Sequence, residues 1–477
     1  MSDPLVAACL HASLRSMIVA AIGTAIVKAL SASTRTNRHA CVPPCLALLV
    51  LPFLTPPILA GYAYANLIGV LARDALAREI VYSSLLLARA IPVAFLFSAL
   101  APSTIGETAL HCHNLQKPSR RRSVATKYSL AMWLQRNTTG AILPFSILFL
   151  IAFSDFELVS FFAIPHWTVR IFDAQVGGTP LLVSLRIAGL PLALNLLVLA
   201  VALAAVLRLG TRLPGQDQHR STRAARAPWG YKAYLLFALV TATAVPAACL
   251  LHSTRAGLTS MAQTFSLQRE LLASILLALA GTAILLPVAT RLSSTLRRAR
   301  RPLVPALLVP VLPGLLGALV VSLLVQGLFQ APGIGRMYDS PLPLLVATTL
   351  ALMPFAVLAG FLIQQDGPSS SAYSARLLGL ASDACRRRAS GRLRWVGEQR
   401  RYFWLAFACF VLVFFDATTA ALLAPSALAP VMPRLYNFMH YGQSAILSAT
   451  VLTVSMIPAL LALLVYPAWR ELAVRYG

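Results

Sequence analysis

Charge is scarce in this chain, and negative charge scarcest: Asp and Glu supply 15 of the 477 residues, and all charged types together only 12%. Soluble domains of ordinary composition carry about a quarter of their residues as charged types, so a water-soluble globular protein is excluded. Lysine is rarer still. The four present, Lys28, Lys117, Lys127 and Lys232, follow Val27, Gln116, Thr126 and Tyr231. None stands in Gly-Lys-Ser/Thr, the signature of a loop that cradles nucleotide phosphates and Mg²⁺, so the chain has no P-loop and any ATP-driven motor must be a separate subunit. The seven cysteines (Cys9, Cys41, Cys45, Cys112, Cys249, Cys385 and Cys409) show neither a paired metal spacing nor a disulfide framework. Cys41 and Cys45, flanking Val42-Pro43-Pro44, read as structural. His111-Cys112-His113 has no second cluster nearby and lacks the four-ligand spacing of a metal site. No nucleophile elbow or triad context surrounds the Ser, His and Asp residues. The expectation is a protein that is not an enzyme, with no metal and no cofactor. No Lys or Arg precedes Arg15, so the basic leading region of a cleaved signal peptide is not expected either.

What is abundant is apolar: 58% of residues, with a mean hydropathy of +0.75. Runs long enough to cross the roughly 30 Å hydrocarbon layer recur from Ser13 to Tyr466. Eleven spans are expected, near 12–30, 46–70, 80–102, 139–163, 181–207, 230–252, 270–292, 304–329, 341–365, 402–424 and 443–467. Backbone polar groups find no water in lipid, and the alternation of a membrane β-barrel is absent, so these spans must be helices. The predicted fold class is all-α, a polytopic integral membrane protein.

Forty Lys and Arg give a formal net charge of +25, which raises the question of nucleic acid. Position answers it. Twenty-seven of them lie in alternate loops (31–45, 103–138, 208–229, 293–303, 366–401) and the tail 468–477, against seven in the intervening loops: Arg73, Arg78, Arg170, Arg255, Arg269, Arg336 and Arg434. Such an asymmetry sets orientation by the positive-inside rule. The basic side is predicted cytoplasmic, with the N-terminus outside and the C-terminus inside. The partner implied is the lipid bilayer, and no basic patch interleaved with aromatics points to nucleic acid.

The two halves also align at an offset near 260 residues. Gly23-Thr24-Ala25-Ile26 answers Gly281-Thr282-Ala283-Ile284; Leu51-Pro52-Phe53-Leu54 answers Val309-Pro310-Val311-Leu312; Ile91-Pro92-Val93-Ala94 answers Met353-Pro354-Phe355-Ala356. Further on, Phe153-Ser154-Asp155 answers Phe414-Phe415-Asp416, and Arg170-Ile171-Phe172 answers Arg434-Leu435-Tyr436. Repeats of this kind reveal architecture. Both copies enter in the same orientation, which predicts a parallel repeat of five plus six spans around a pseudo-two-fold axis along the membrane normal. The expected units are a first transmembrane repeat over 1–210, a basic cytoplasmic linker over 211–229, and a second repeat over 230–477 with the extra span 230–252 in front. The first copy has no counterpart of that span.

In each copy the longest cytoplasmic loop precedes the fourth span: 103–138 and 366–401. Each contains a short helix-compatible stretch and an Arg triplet, Arg120–Arg122 and Arg386–Arg388. Glu107-Thr108-Ala109-Leu110-His111-Cys112-His113 and Tyr373-Ser374-Ala375-Arg376-Leu377-Leu378-Gly379 occupy equivalent places. With these loops, the Phe-x-Asp after the first one, WTVRIFDAQVGG, and LLAP followed by RLYNFMHYGQS, the chain resembles the permease subunit of binding-protein-dependent ABC importers. The particular likeness is to the fused two-domain type associated with iron(III) uptake, a type I-like permease. That family carries Glu-Ala-Ala, three residues, then Gly. Here Glu107 and Ala109 are kept while His113 stands in the Gly place, and the second loop keeps Ala375 and Gly379 while Tyr373 stands in the Glu place.

The resemblance implies that Glu107, Ala109 and His113, with Tyr373, Ala375 and Gly379, touch a cytoplasmic ABC ATPase dimer. It further implies a periplasmic or extracellular solute-binding protein, a bacterial inner-membrane location, and iron(III) as cargo. The alternatives are an ion-coupled secondary transporter and a paralogue that no longer couples. Charges within apolar spans are costly and therefore candidates for function: Asp155, Glu157, Asp416, Arg89 and Arg186. Asp155 and Asp416 hold equivalent repeat positions, so they either face one another across a central pathway or act as hydrogen bonders in helix packing.

Overall fold

The computed structural model describes residues 4–35, 42–71, 74–100, 141–209, 229–262, 266–298, 303–364, 374, 377–378, 389–393, 395, 399–440 and 444–476. All regular structure among them is helical. Six helices are long and apolar enough to cross a membrane unbroken: Leu5–Ser31, Ala75–Ser98, Trp229–His252, Leu267–Leu296, Leu342–Phe361 and Ile446–Leu472. Two bent pairs raise the number to eight if each is one crossing. These are Leu181–Ile187 with Gly189–Ala204, bent by 53°, and Arg400–Phe414 with Ala417–Leu423, bent by 50°.

Three of the predicted spans are interrupted. The stretch 46–70 divides into Val42–Leu54 and Pro57–Leu71. The stretch 139–163 divides into Ala141–Phe153 and Glu157–Phe161. The stretch 304–329 divides into Val304–Leu308, Leu312–Leu315 and Ala318–Phe329. Proline removes a backbone donor and clashes with the preceding turn, and Pro56, Pro57, Pro310 and Pro313 sit at or beside the first and third of these interruptions. Hydropathy averages across such breaks, which is why each reads as one run.

The side chains are arranged as lipid requires. Leu182, Leu463 and Leu464 are 71–72% exposed on the outer faces, while Asn195, Ser293 and Thr419 are fully buried. A soluble protein would not leave so much leucine in water around a hydroxyl-bearing interior, whereas small and polar residues between helices are the usual contacts inside a bilayer. The chain is a multi-pass helical membrane protein.

The packing runs in parallel series. The Pro4–Arg35 helix lies along Ala75–Leu100, and Ser266–Arg298 along Leu342–Gln364. Pro57–Leu71 meets Glu157–Phe161, as Ala318–Phe329 meets Ala417–Leu423. Trp167–Val176 touches Pro4–Arg35, as Val431–His440 touches Ser266–Arg298. The helix that opens the second half packs against Pro57–Leu71 as well as Ser444–Tyr476. It is pinned to the first half at a π-helical turn, Val240–Ala244. There the Tyr64 hydroxyl donates to the Thr241 carbonyl at 2.9 Å, and the Thr55 and Thr243 hydroxyls lie 3.0 Å apart. A π turn displaces carbonyls from the helical ladder, and Tyr64 uses one of them.

Near one end of the first half, Arg15 grips Glu79 through two bonds of 2.6 Å and lies 5.5 Å from the centre of the Tyr82 ring. The Arg15 side chain is 10% exposed and that of Glu79 35%. Arg15→Leu removes the partner of a carboxylate that keeps some solvent. The expected loss is therefore about 1–3 kcal/mol, below the roughly 3–5 kcal/mol of a fully buried pair, measured as unfolding in detergent. Arg15→Lys should restore part of it.

Candidate functional site

The interruptions are not scattered through the bundle. Thr55-Pro56, Ser154-Asp155, Leu315 with Gly317, and Phe415-Asp416 all line a single cavity of about 250 Å³. Its wall takes Leu86, Arg89 and Ala90 from the Ala75–Leu100 helix and Ala351, Leu352 and Phe355 from Leu342–Gln364. Each half thus contributes an interrupted stretch, a long helix and a helix ending at an aspartate.

A broken helix leaves carbonyl and amide groups without ladder partners, and in lipid each costs several kcal/mol unless something else bonds it. Here side chains do so. The Trp167 indole N–H donates to the Phe153 carbonyl at 2.7 Å, and the Thr168 hydroxyl to the Asp155 carbonyl at 2.8 Å. The Asp155 carboxylate accepts from the Val159 amide at 3.3 Å and the Tyr82 hydroxyl at 3.2 Å. Asn195, fully buried, donates through its Nδ2 to the Ser154 hydroxyl at 3.1 Å and reaches the Leu316 carbonyl at 3.5 Å, so one amide ties the breaks of both halves. At the second aspartate, Asp416 caps Ala417–Leu423: it accepts from the Thr419 amide at 3.1 Å and from the Thr419 hydroxyl. Thr348 adds a hydroxyl 3.0 Å from that of Thr419. Behind Asp416, a void of about 20 Å³ among Ser274, Thr348 and Thr419 is the size of one water.

Asp155 and Asp416 are hydrogen bonders at helix breaks, and both line this cavity. Arg89 and Glu157 join them there. Glu157 accepts from the Thr418 hydroxyl at 3.1 Å, a bond between the halves. Buried Nη1 of Arg89 has no hydrogen-bond partner among the described residues. Three carboxyl groups and one guanidinium therefore face a single space. Arg186 is exposed and stands apart from it. Arg89 and Glu157 are visible in the sequence as charges within apolar runs. The parts played by Thr55, Asn195 and Gly317 are not, although Thr55-Pro56-Pro57 and Pro313-Gly314 mark breaks.

Aromatic contacts join the two halves at two places. Phe53 of the first half meets Phe355 of the second with ring centres 5.1 Å apart. Elsewhere Tyr436 lies among Phe156, Phe161 and Phe172 at 5.8–6.2 Å and hydrogen-bonds Ser160 at 2.9 Å. Phe53 and Phe355 both line the cavity.

Glu107, Ala109, His113, Tyr373, Ala375 and Gly379 lie outside the described residues. No group of three or more His, Cys, Asp or Glu among the described residues is placed to hold a metal ion. Comparison with protein-family models, with curated proteins and with solved structures finds no match. Fold and cavity together define a multi-pass membrane protein whose interrupted helices surround a charged internal chamber.

Proposed function

We propose that this chain is the fused permease of an ATP-driven ABC importer in a bacterial inner membrane, with both membrane domains in one polypeptide and the translocation pathway between them. The observation that carries the reading is the chamber itself, lined by the same kinds of element from each half. Helices interrupted near the membrane midplane, at an interface between repeated units, are where transporters bind their cargo.

Further support comes from the element order. At offsets near 260 residues, Pro4–Arg35 answers Ser266–Arg298, Ala141–Phe153 answers Arg400–Phe414, and Trp167–Val176 answers Val431–His440. The paired contacts of the two series follow the same scheme. Even the matched glycines agree: a Cβ on Gly23 would meet Leu148, and one on Gly281 would meet Val413, each on the helix that ends at its aspartate. With each interrupted stretch counted as one crossing, the spans number eleven, in parallel repeats of five and six, with the N-terminus outside and the C-terminus cytoplasmic.

In this reading the loops 103–138 and 366–401 dock a cytoplasmic ATPase dimer, and an external solute-binding protein delivers a small solute, iron(III) being the cargo that the resemblance implies. ATP binding in the partners shifts the population between inward- and outward-open bundles; the chain itself performs no hydrolysis. The test is copurification of the tagged protein from mild detergent, with mass spectrometry of what accompanies it. A P-loop ATPase is expected to copurify, and Glu107→Arg with Gly379→Trp to release it. A protein that purifies alone in both forms would sink the importer reading in favour of an ion-coupled carrier or a non-coupling paralogue.

A further inference from the structure

The chamber carries more chemical information than a passage for an unspecified solute requires. Arg89 projects a guanidinium whose buried Nη1 lacks a hydrogen-bond partner among the described residues, and an unmet charged donor costs more than an ordinary one. Asp155, Glu157 and Asp416 line the same space. Each carboxylate offers about four acceptor sites, and Glu157 uses one with Thr418.

An occupant of one charge fails against this lining. An anion satisfies Arg89 but meets three carboxyl groups. A cation satisfies the carboxyl groups but leaves the unmet Nη1 donor of Arg89 unanswered and adds repulsion to it. A bare metal ion needs clustered ligands, and no such cluster occurs among the described residues. A molecule with a carboxylate at one end and an ammonium at the other answers both: the carboxylate accepts from Arg89 with the fork geometry that guanidinium favours, and the ammonium donates to Glu157 and Asp416. At about 250 Å³, the space is smaller than the roughly 300–1,000 Å³ of pockets for drug-sized ligands, so the molecule is small. Phe53 and Phe355, with ring centres 5.1 Å apart, give it an apolar wall.

We propose that the chamber is a binding site for a small zwitterion of the amino-acid type, held by Arg89 at its carboxylate and by Glu157 and Asp416 at its ammonium. As the transported solute, this deepens the permease reading and rests on it. The cargo is then an organic zwitterion in place of the ferric ion that the resemblance implies.

The experiment is equilibrium dialysis of the purified full-length protein in mild detergent with radiolabelled glycine, β-alanine and γ-aminobutyrate, which place the two charges at increasing separation. Propionate and propylamine serve as controls of single charge. The expected result is saturable binding of at least one zwitterion, about tenfold or more tighter than either control, as one or two charge-assisted bonds predict. Arg89→Gln and Glu157→Gln should each weaken it by a similar factor, and Arg89→Gln should turn preference towards propylamine. If Arg89→Gln does not fold, Glu157→Gln decides alone, since it has the same shape. Binding no tighter than the controls, or unmoved by Glu157→Gln, overturns the proposal. Neither result depends on an ATPase. A copurifying ATPase without zwitterion binding overturns this site and leaves the importer; zwitterion binding by a protein that purifies alone does the reverse.

Discussion

Trp167→Ala should be among the most damaging single substitutions in the chain, lowering stability by about 3–5 kcal/mol as buried tryptophan losses do in packed cores. Trp167 is fully buried, its ring centre 5.4 Å from that of Phe153, and its indole N–H bonds the Phe153 carbonyl. Part of the usual cost is transfer from water, which is weaker inside lipid. Two losses remain undiminished: the void, and a carbonyl at the end of the Ala141–Phe153 helix left without its donor. Trp167→Phe removes the N–H with a much smaller void than Trp167→Ala, so its loss should be about 1–3 kcal/mol, chiefly the cost of an unsatisfied buried acceptor. Reversible unfolding in detergent with added denaturant measures both. Equal and small effects would show that the tryptophan does not hold the break.

The second large effect concerns backbone crowding where the halves touch. Gly317 has φ +97°, a conformation that residues with a Cβ rarely adopt, and a Cβ built on it would lie 2.6 Å from Cβ of Ser154. Gly333 shares the positive φ, +94°, with nothing within 4 Å of the corresponding position. The pair separates crowding at Gly317 from an open site. Gly333→Ala should cost only the conformational strain, about 1–2 kcal/mol. Gly317→Ala should cost more: φ +97° with ψ 150° is a conformation nearly exclusive to glycine, about 1–3 kcal/mol of strain, and overpacking adds about 1–3 kcal/mol, because Ser154 is itself held by Asn195 across the break. The two variants, compared by thermal unfolding and by transport in vesicles, should differ most in transport, since only Gly317 borders the chamber. Equal effects of the two would mean that the contact of Gly317 with Ser154 is loose.

These features mark where sequence reading stops. The membrane class was legible because leucine runs and the sidedness of arginine need no tertiary information. Asp155, Asp416, Arg89 and Glu157 were legible as charges in apolar surroundings. Their convergence was not, because it depends on breaks stabilised from far along the chain: Trp167 reaches Phe153, Asn195 reaches Ser154 and Leu316, and Tyr64 reaches Thr241. Nothing local at Phe153 announces that its helix stops there. Proline gave a hint at Pro56 and Pro313, yet Pro92 and Pro354 sit inside continuous helices, so proline alone does not separate a break from a tolerated kink.

The placement of four of the breaks around one chamber also bears on how the protein can move. Carbonyls left out of the helical ladder at such breaks are harmless while side chains or water bond them and costly against acyl chains. Any opening that draws the halves apart at this level must therefore let water follow and keep lipid out. A sideways portal towards the bilayer is therefore disfavoured by solvation alone, without a dedicated barrier.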